Sequence, residues 1–241
     1  MIHYLKNTAV LFLLLIAGLP NSIHAQTSTI SSAWSTLVQQ YQVVSETKFA
    51  QLPYIVQANY DASTTHTDSQ FFARGLTLPA GATVDVYHKQ MNLLNPAFSD
   101  EDIQLIKIGS GMIAQAGDPC LIKITKASAA ITPGDRIIIA ADKNPMPAVA
   151  ILANKTAIKI IGQLTDGDMK TGSVIILNYG SDQGAAVGQK LGLSKPRVNR
   201  GSARQSDSTG NVVILRTFAR VSYAGIIQAS GSVMILDRLN R

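Results

Sequence analysis

The sequence predicts an all-β protein: two related small barrel-like β units in tandem, preceded by a short N-terminal helix. Three observations predict it. Short Ile- and Val-rich runs such as YIVQA, TVDVYHK, IQLIKIG, CLIKIT, RIIIA, SVIILNY, KLGLS, VVILRTF and VMILD recur along the chain, many of them bounded by Gly, Pro, Asp or Asn. That combination makes strands and turns. Helical spacing of apolar residues is nearly confined to one segment near the N-terminus. Finally, ITKASAAITPGDRI (Ile124 to Ile137) returns as IIQASGSVMILDRL (Ile226 to Leu239) at a fixed offset of 102 residues, Ile226 against Ile124. Without gaps, Ile124/Ile226, Ala127/Ala229, Ser128/Ser230, Asp135/Asp237 and Arg136/Arg238 coincide, the mark of a duplicated unit.

In chain order, residues 1–25 read as a secretory signal peptide. A short start with one charge at Lys6 leads into the apolar core AVLFLLLIAGL (Ala9 to Leu19), the breaker Pro20 and a small-residue site ending in Ala25. Cleavage is expected between Ala25 and Gln26. The apolar core is shorter than the roughly 20 residues that span a bilayer, so the mature chain is expected to lack a transmembrane segment. With no cysteine near the junction, lipoprotein acylation is not expected.

Residues 26–52 form a helical lead-in, where Trp34, Leu37, Val38, Tyr41 and Val44 share one face and Thr29 or Ser31 can cap the start. A short helix needs tertiary cover, so this face is expected to pack on the first β unit; the alternative is a docking face for a partner. Residues 53–145 make the first β unit, with Gly75 and Gly81 between strands in FFARGLTLPAGATVDVY. Residues 146–241 make the second, opened by VIILNYGSDQGAAVGQKLGLS, where Gly180, Gly184 and Gly188 recur every four residues. That spacing suits a Gly-punctuated hairpin of a small twisted barrel. It lacks the order of a phosphate loop or a dinucleotide fingerprint. The repeated Asp-Arg pairs are expected to be strand ends and turn caps rather than two catalytic dyads.

Candidate chemistry is sparse. The formal charge is +6 with 15% charged residues, and loss of Lys6 with the signal peptide lowers that charge by one. The basic residues concentrate in LSKPRVNRGSARQSDSTG, where Lys195, Arg197, Arg200 and Arg204 face Asp207 alone. This segment reads as an exposed loop: a solvated hairpin tip, or a contact for an anionic envelope component. Nucleic acid is not an expected partner, because no aromatic residue interleaves the basic ones. The single cysteine, Cys120, opens an apolar run and is expected to fill core, the alternative being an intermolecular disulfide. Asp166 and Asp168 in LTDGDMKTG lack the further oxygen ligands of a Ca²⁺ loop. Asp100, Glu101 and Asp102 read as a solvated turn, His66 as a loop residue and His88 as a strand residue. Ser110 between Gly109 and Gly111 lacks the full nucleophile-elbow pattern. No metal or cofactor is expected, and no nucleophile–base–orienter set stands out.

The ending LRTFARVSYAGIIQASGSVMILDRLNR, the motif LNYGSDQGAAVGQKL, the opening VSETKFAQLPYIVQAN and the stretch GSGMIAQAGDPCLIKITKASAAITPGDRI together resemble a known family. They look like the part that follows the lysin-motif (LysM) module in bacterial LysM-containing envelope proteins. The resemblance runs from about Trp34 to Arg241. It implies residence in the cell envelope, often with peptidoglycan affinity, and no enzymatic activity; peptidoglycan or other envelope proteins are the expected partners. Family members carry a LysM module ahead of this region, whereas here the signal peptide runs almost directly into it. The family's glycan-binding residues therefore have no counterparts to carry over. A weaker resemblance links the Gly-spaced segment to the C-terminal domain of a flagellar outer-ring assembly protein. The expected function is that of a non-enzymatic periplasmic adaptor or scaffold. The alternatives are a subunit of an envelope-spanning apparatus (secretion-system core or flagellar ring) and a direct peptidoglycan-binding module. The sequence carries no signal for oligomeric state.

Overall fold

The structure, a computed structural model, describes residues 32–58, 67–95, 101–139, 157–196, 206–235 and 237–240. The signal-peptide junction Ala25–Gln26, the candidate caps Thr29 and Ser31, His66, Asp100 and the loop residues Arg197, Arg200 and Arg204 lie outside them.

Two closed barrels follow one another. In the first, β2 (Tyr54–Ala58), β3 (Gln70–Arg74), β4 (Thr83–Leu93), β5 (Asp102–Gln115), β6 (Cys120–Ala127) and β7 (Arg136–Ile139) pair antiparallel. Their cyclic order is β5-β4-β7-β2-β3-β6, with β6 returning to β5. The second uses β8 (Ile158–Gln163), β9 (Val174–Leu177), β10 (Lys190–Pro196), β11 (Ser206–Thr217), β12 (Ser222–Ala229) and β13 (Arg238–Asn240). Read from β11, its ring is β11-β10-β13-β8-β9-β12. Replacing β2 by β8, β3 by β9 and so on converts one ring into the other, so the duplication extends over both barrels.

The coinciding residues carry matching roles. Ser128 donates both its N–H and its hydroxyl to the Ile108 carbonyl, and Ser230 does the same to Thr209. The Asp135 carboxylate accepts from the Thr132 N–H at 2.7 Å, and Asp237 accepts from the Met234 N–H at 2.9 Å. Each aspartate thus caps the turn that launches the last strand of its barrel, at Arg136 and Arg238. Ile124 and Ile226 are both fully buried in their barrel cores. Such side-chain caps satisfy backbone groups that the strands leave unpaired.

Each barrel is filled from alternate strand positions. Ile55, Phe71, Val86, Ile122 and Ile137 meet in the first, and Ile160, Ile175, Leu177, Val212 and Ile214 in the second. Cys120 lies in the first core, where burial pushes its thiol pKa up; it fills space there.

The glycine-punctuated segments are not hairpins. β9 pairs with β8 and β12, while β10 pairs with β11 and β13, so the chain from β9 to β10 crosses to the far side of the ring. The Gly75–Gly81 segment makes the same crossing from β3 to β4. A single 3-10 turn, Ser181–Gln183, lies in the second crossing. Gly180 is needed there for close approach, because a Cβ would sit 2.3 Å from the Ala219 carbonyl oxygen.

The lead-in departs from expectation twice. Helix α1 spans residues 32–39 only; Tyr41–Ser45 form strand β1, paired antiparallel with the first half of β5, and Glu46–Gln51 form helix α2. Ser45 caps α2 by accepting from the Lys48 N–H. The β-branched pair Val43–Val44 favours a strand, and the start of β5 offers an open edge to pair with. In a strand, Tyr41 and Val43 share one face and Val44 takes the other. They accordingly enter two different apolar clusters. Secondly, α1 docks on the second barrel. The Trp34 indole N–H donates to the Gly172 carbonyl at 2.8 Å, and its ring covers Gly225 of β12. By strand register, the matching positions of the first barrel are Asp68 and Lys123, which form an ion pair at 2.9 Å. At these matched positions the second barrel has glycines to receive the indole, and the first has a charged pair instead.

Candidate functional site

The barrels meet across a buried apolar seam. Val38, Tyr41 and Leu93 from the first half pack against Val174, Ile176, Val221 and Tyr223 of the second. Tyr223 is edge-on to Tyr41 at 6.2 Å and to Phe218 at 5.0 Å between ring centres. β9 reads Val-Ile-Ile-Leu because both its faces are covered: Ile175 and Leu177 fill the barrel, while Val174 and Ile176 face the seam. Burial drives the Tyr223 hydroxyl pKa far above its ordinary value, keeping the phenol neutral.

Two arginines clamp the seam. Arg220, in the turn between β11 and β12, donates to the Asp102 carboxylate through Nε at 3.0 Å and Nη2 at 2.6 Å, and to the Glu101 carbonyl. Its own carbonyl accepts from Asn95. Asp102 is therefore a buried, ion-paired residue, not part of a solvated turn. Arg216 of β11 donates through Nη1 to the carbonyls of Val38 at 2.8 Å and Tyr41 at 2.6 Å, while its guanidinium lies over Phe218. Burial lowers the Arg216 pKa from its usual range.

Beside this clamp opens a cleft of about 690 Å³. It exists because β5 changes partners along its length. Its first half pairs with β1, and its second half pairs with β6 from Gly109 onward. Where the two partners part, α1, the ends of β1 and β6, and β11 wall a hollow lined by Gln40, Gln42, Lys107, Ser110, Lys126 and Arg216, among others. Lys107 pairs with buried Asp85 at 2.8 Å, and Ser110 donates to the same oxygen at 2.8 Å. The Tyr87 hydroxyl pKa is raised by its burial and by the Asp85 charge.

Other candidates resolve into structure. The Ser110 hydroxyl is committed to Asp85 in mid-strand. His88 Nδ1 lies 2.7 Å from Asp135, a base-and-orienter geometry. Yet that carboxylate is buried and caps its turn just as Asp237 does without a histidine. Asp166 and Asp168 lie in the turn between β8 and β9, where the Asp168 carbonyl accepts from Ser173. No group of three His, Cys, Asp or Glu residues converges for a metal among the described residues. Lys195 lies in β10 opposite Asp207 of β11, so residues 197–205 join two paired strands. No described helix is long and apolar enough to cross a membrane.

Sequence reasoning missed Arg216, Arg220, Asp102 and the seat of Trp34. One signal could have found the seam. SVIILNY has no polar alternation, and an antiparallel strand apolar on both faces must be covered on both. No known protein-family model matches the chain, and no curated protein matches it.

Proposed function

We propose that the protein is a non-enzymatic component of the Gram-negative cell envelope. In this reading it is exported with cleavage between Ala25 and Gln26 and acts in the periplasm as an adaptor or scaffold related to LysM-containing envelope proteins. One observation carries the reading. Of the polar residues that the duplication keeps identical, Ser128/Ser230 and Asp135/Asp237 hold backbone groups, and Arg136 of the remaining pair lies over the rings of Phe49 and Tyr54. What is preserved between the copies is thus a scaffold rather than a reacting set. The seam of Trp34, Arg216 and Arg220 supports the same reading by clamping two barrels together, as a spacer or adaptor needs. The test is affinity capture of the tagged protein from detergent-solubilised envelopes, followed by mass spectrometry. Recovery of a defined set of envelope proteins is expected; a monomeric profile without partners would overturn the adaptor role.

A second reading, a subunit of an envelope-spanning apparatus, draws on β1. Among the described strands it pairs only with β5, and beyond Tyr41, whose carbonyl Arg216 takes, it leaves an edge of the kind that accepts a partner's strand. Capture of one large complex favours it. Co-sedimentation with purified peptidoglycan would instead move the assignment to direct glycan binding.

A further inference from the structure

The cleft at the barrel junction is built from the wrong materials for an empty crevice. Its volume of about 690 Å³ falls within the span of small-ligand sites, roughly 300–1,000 Å³. Such sites are usually lined by apolar and aromatic groups. This one has Val38 and Leu215 as its only large apolar residues, and no aromatic residue lines it. It therefore offers no stacking platform for a sugar ring. It offers charge and amides instead.

Three cations line it: Lys107, Lys126 and Arg216. Only Lys107 has a carboxylate partner among the described residues, and that carboxylate, Asp85, is buried behind it. Arg216 spends Nη1 on two carbonyls, which hold the guanidinium in a fixed orientation without neutralising it. Lys126 is exposed at the other wall. Gln39, Gln40 and Gln42 line the cleft as well; the Gln42 side chain is hydrogen-bonded to buried Tyr87, whereas Gln39 and Gln40 are exposed. Arg216, half-buried and without a counter-charge among the described residues, favours an anion that can replace water, and exposed Lys126 adds a second positive charge at the rim. A planar, preoriented guanidinium matches a carboxylate, and glutamine amides match the donor and acceptor of a peptide group.

From these features we infer that the cleft binds a short acidic peptide, its carboxylates at Arg216 and Lys126 and its backbone amides on Gln39 and Gln40. The helix α1 is part of the wall, so the site forms only when Trp34 docks that helix on the second barrel. The inference rests on the cleft alone. Failure of the envelope capture experiment leaves it standing, and its own failure leaves the scaffold reading intact.

The test titrates the mature full chain, isotope-labelled, with acetylated tetraglutamate, with tetraglutamine, with inorganic phosphate and with glucuronate, observing amide NMR shifts. Tetraglutamate is expected to shift Gln40, Gln42, Gly109, Ser110 and Lys126 together. Exposed Lys126→Glu, which leaves the fold alone, is expected to weaken binding by about tenfold or more, in line with reversal of one charge pair at a site. Arg216→Lys, which keeps the charge but loses the fork, serves as the second variant and is expected to weaken it as well. Equal binding of tetraglutamine would overturn the role of charge. Equal or tighter binding of phosphate or glucuronate, with the same Lys126 dependence, would overturn the peptide assignment. Absence of shifts at these five amides would overturn the site.

Discussion

Replacing Arg220 by alanine tests whether the two barrels are held by a buried clamp or merely rest against each other. Arg220 and Asp102 retain 12% and 5% side-chain exposure, and their closest contact is 2.6 Å. Truncation at Arg220 strands the Asp102 charge in a site with almost no solvent. Removing one partner of a buried pair costs about 3–5 kcal/mol, most of it the penalty of the remaining charge. Asp102→Asn removes that charge while keeping an acceptor for the guanidinium, and its expected cost is about 1–3 kcal/mol. The double variant Arg220→Ala/Asp102→Asn should therefore lose less than the sum of the singles, because the stranded charge is gone. The assay is urea unfolding followed by far-UV circular dichroism and by fluorescence of Trp34. Trp34 is the chain's one tryptophan, and its indole sits against Gly172 and Gly225 beside the same seam. A loss below about 1 kcal/mol for Arg220→Ala, the range of exposed pairs, would refute the clamp. So would strict additivity in the cycle.

Three further predictions follow from the same geometry. Gly225→Ala places a Cβ 2.8 Å from three carbons of the Trp34 ring, so the ring must leave its seat; a red-shifted emission maximum and a stability loss of about 1–3 kcal/mol are expected, and an unshifted spectrum would argue against the docking. Asp135→Ala should cost about 2–3 kcal/mol and Asp237→Ala about 1 kcal/mol, because Asp135 is buried and also bonds His88 and the Thr132 hydroxyl; equal costs measured by thermal unfolding would break the stated difference between the copies. Burial raises the pKa of Tyr41, Tyr87 and Tyr223 above the ordinary 10.0. An acid with a raised folded pKa contributes its full stability below its unfolded pKa and loses it as pH rises. Stability should therefore hold to about pH 10 and fall steadily above it, with a share of the phenolate absorbance at 295 nm appearing only as the chain unfolds; complete tyrosine ionisation while the chain is still folded would contradict the burial.

The sequence by itself determined the class and the duplication. Strand composition, turn residues and a repeat at a fixed offset are local patterns, and they survive because each unit forms its own closed ring. They also located the turn-capping aspartates, since an Asp one residue before a strand acts on its own backbone. The lead-in was only half legible: apolar spacing found α1 but ran on into β1, because Tyr41 and Val44 satisfy a helical spacing while belonging to opposite strand faces. The glycine segments read as hairpins for a similar reason. Two strands adjacent in sequence look paired until ring closure assigns each of them other neighbours.

Only the tertiary structure decided what joins the barrels. Arg216 and Arg220 find their partners more than a hundred residues away, at Val38, Tyr41 and Asp102, and no spacing rule links such positions. Which barrel receives Trp34 turned on Gly172 and Gly225 against Asp68 and Lys123, a comparison that has meaning only once both rings are superposed strand by strand. The cleft has the same origin. Its walls come from α1, β1, β5, β6 and β11, and they converge because β5 is long enough to be shared by two successive partners. Local chemistry fixed the two copies; their differences at a handful of matched positions fixed how they assemble.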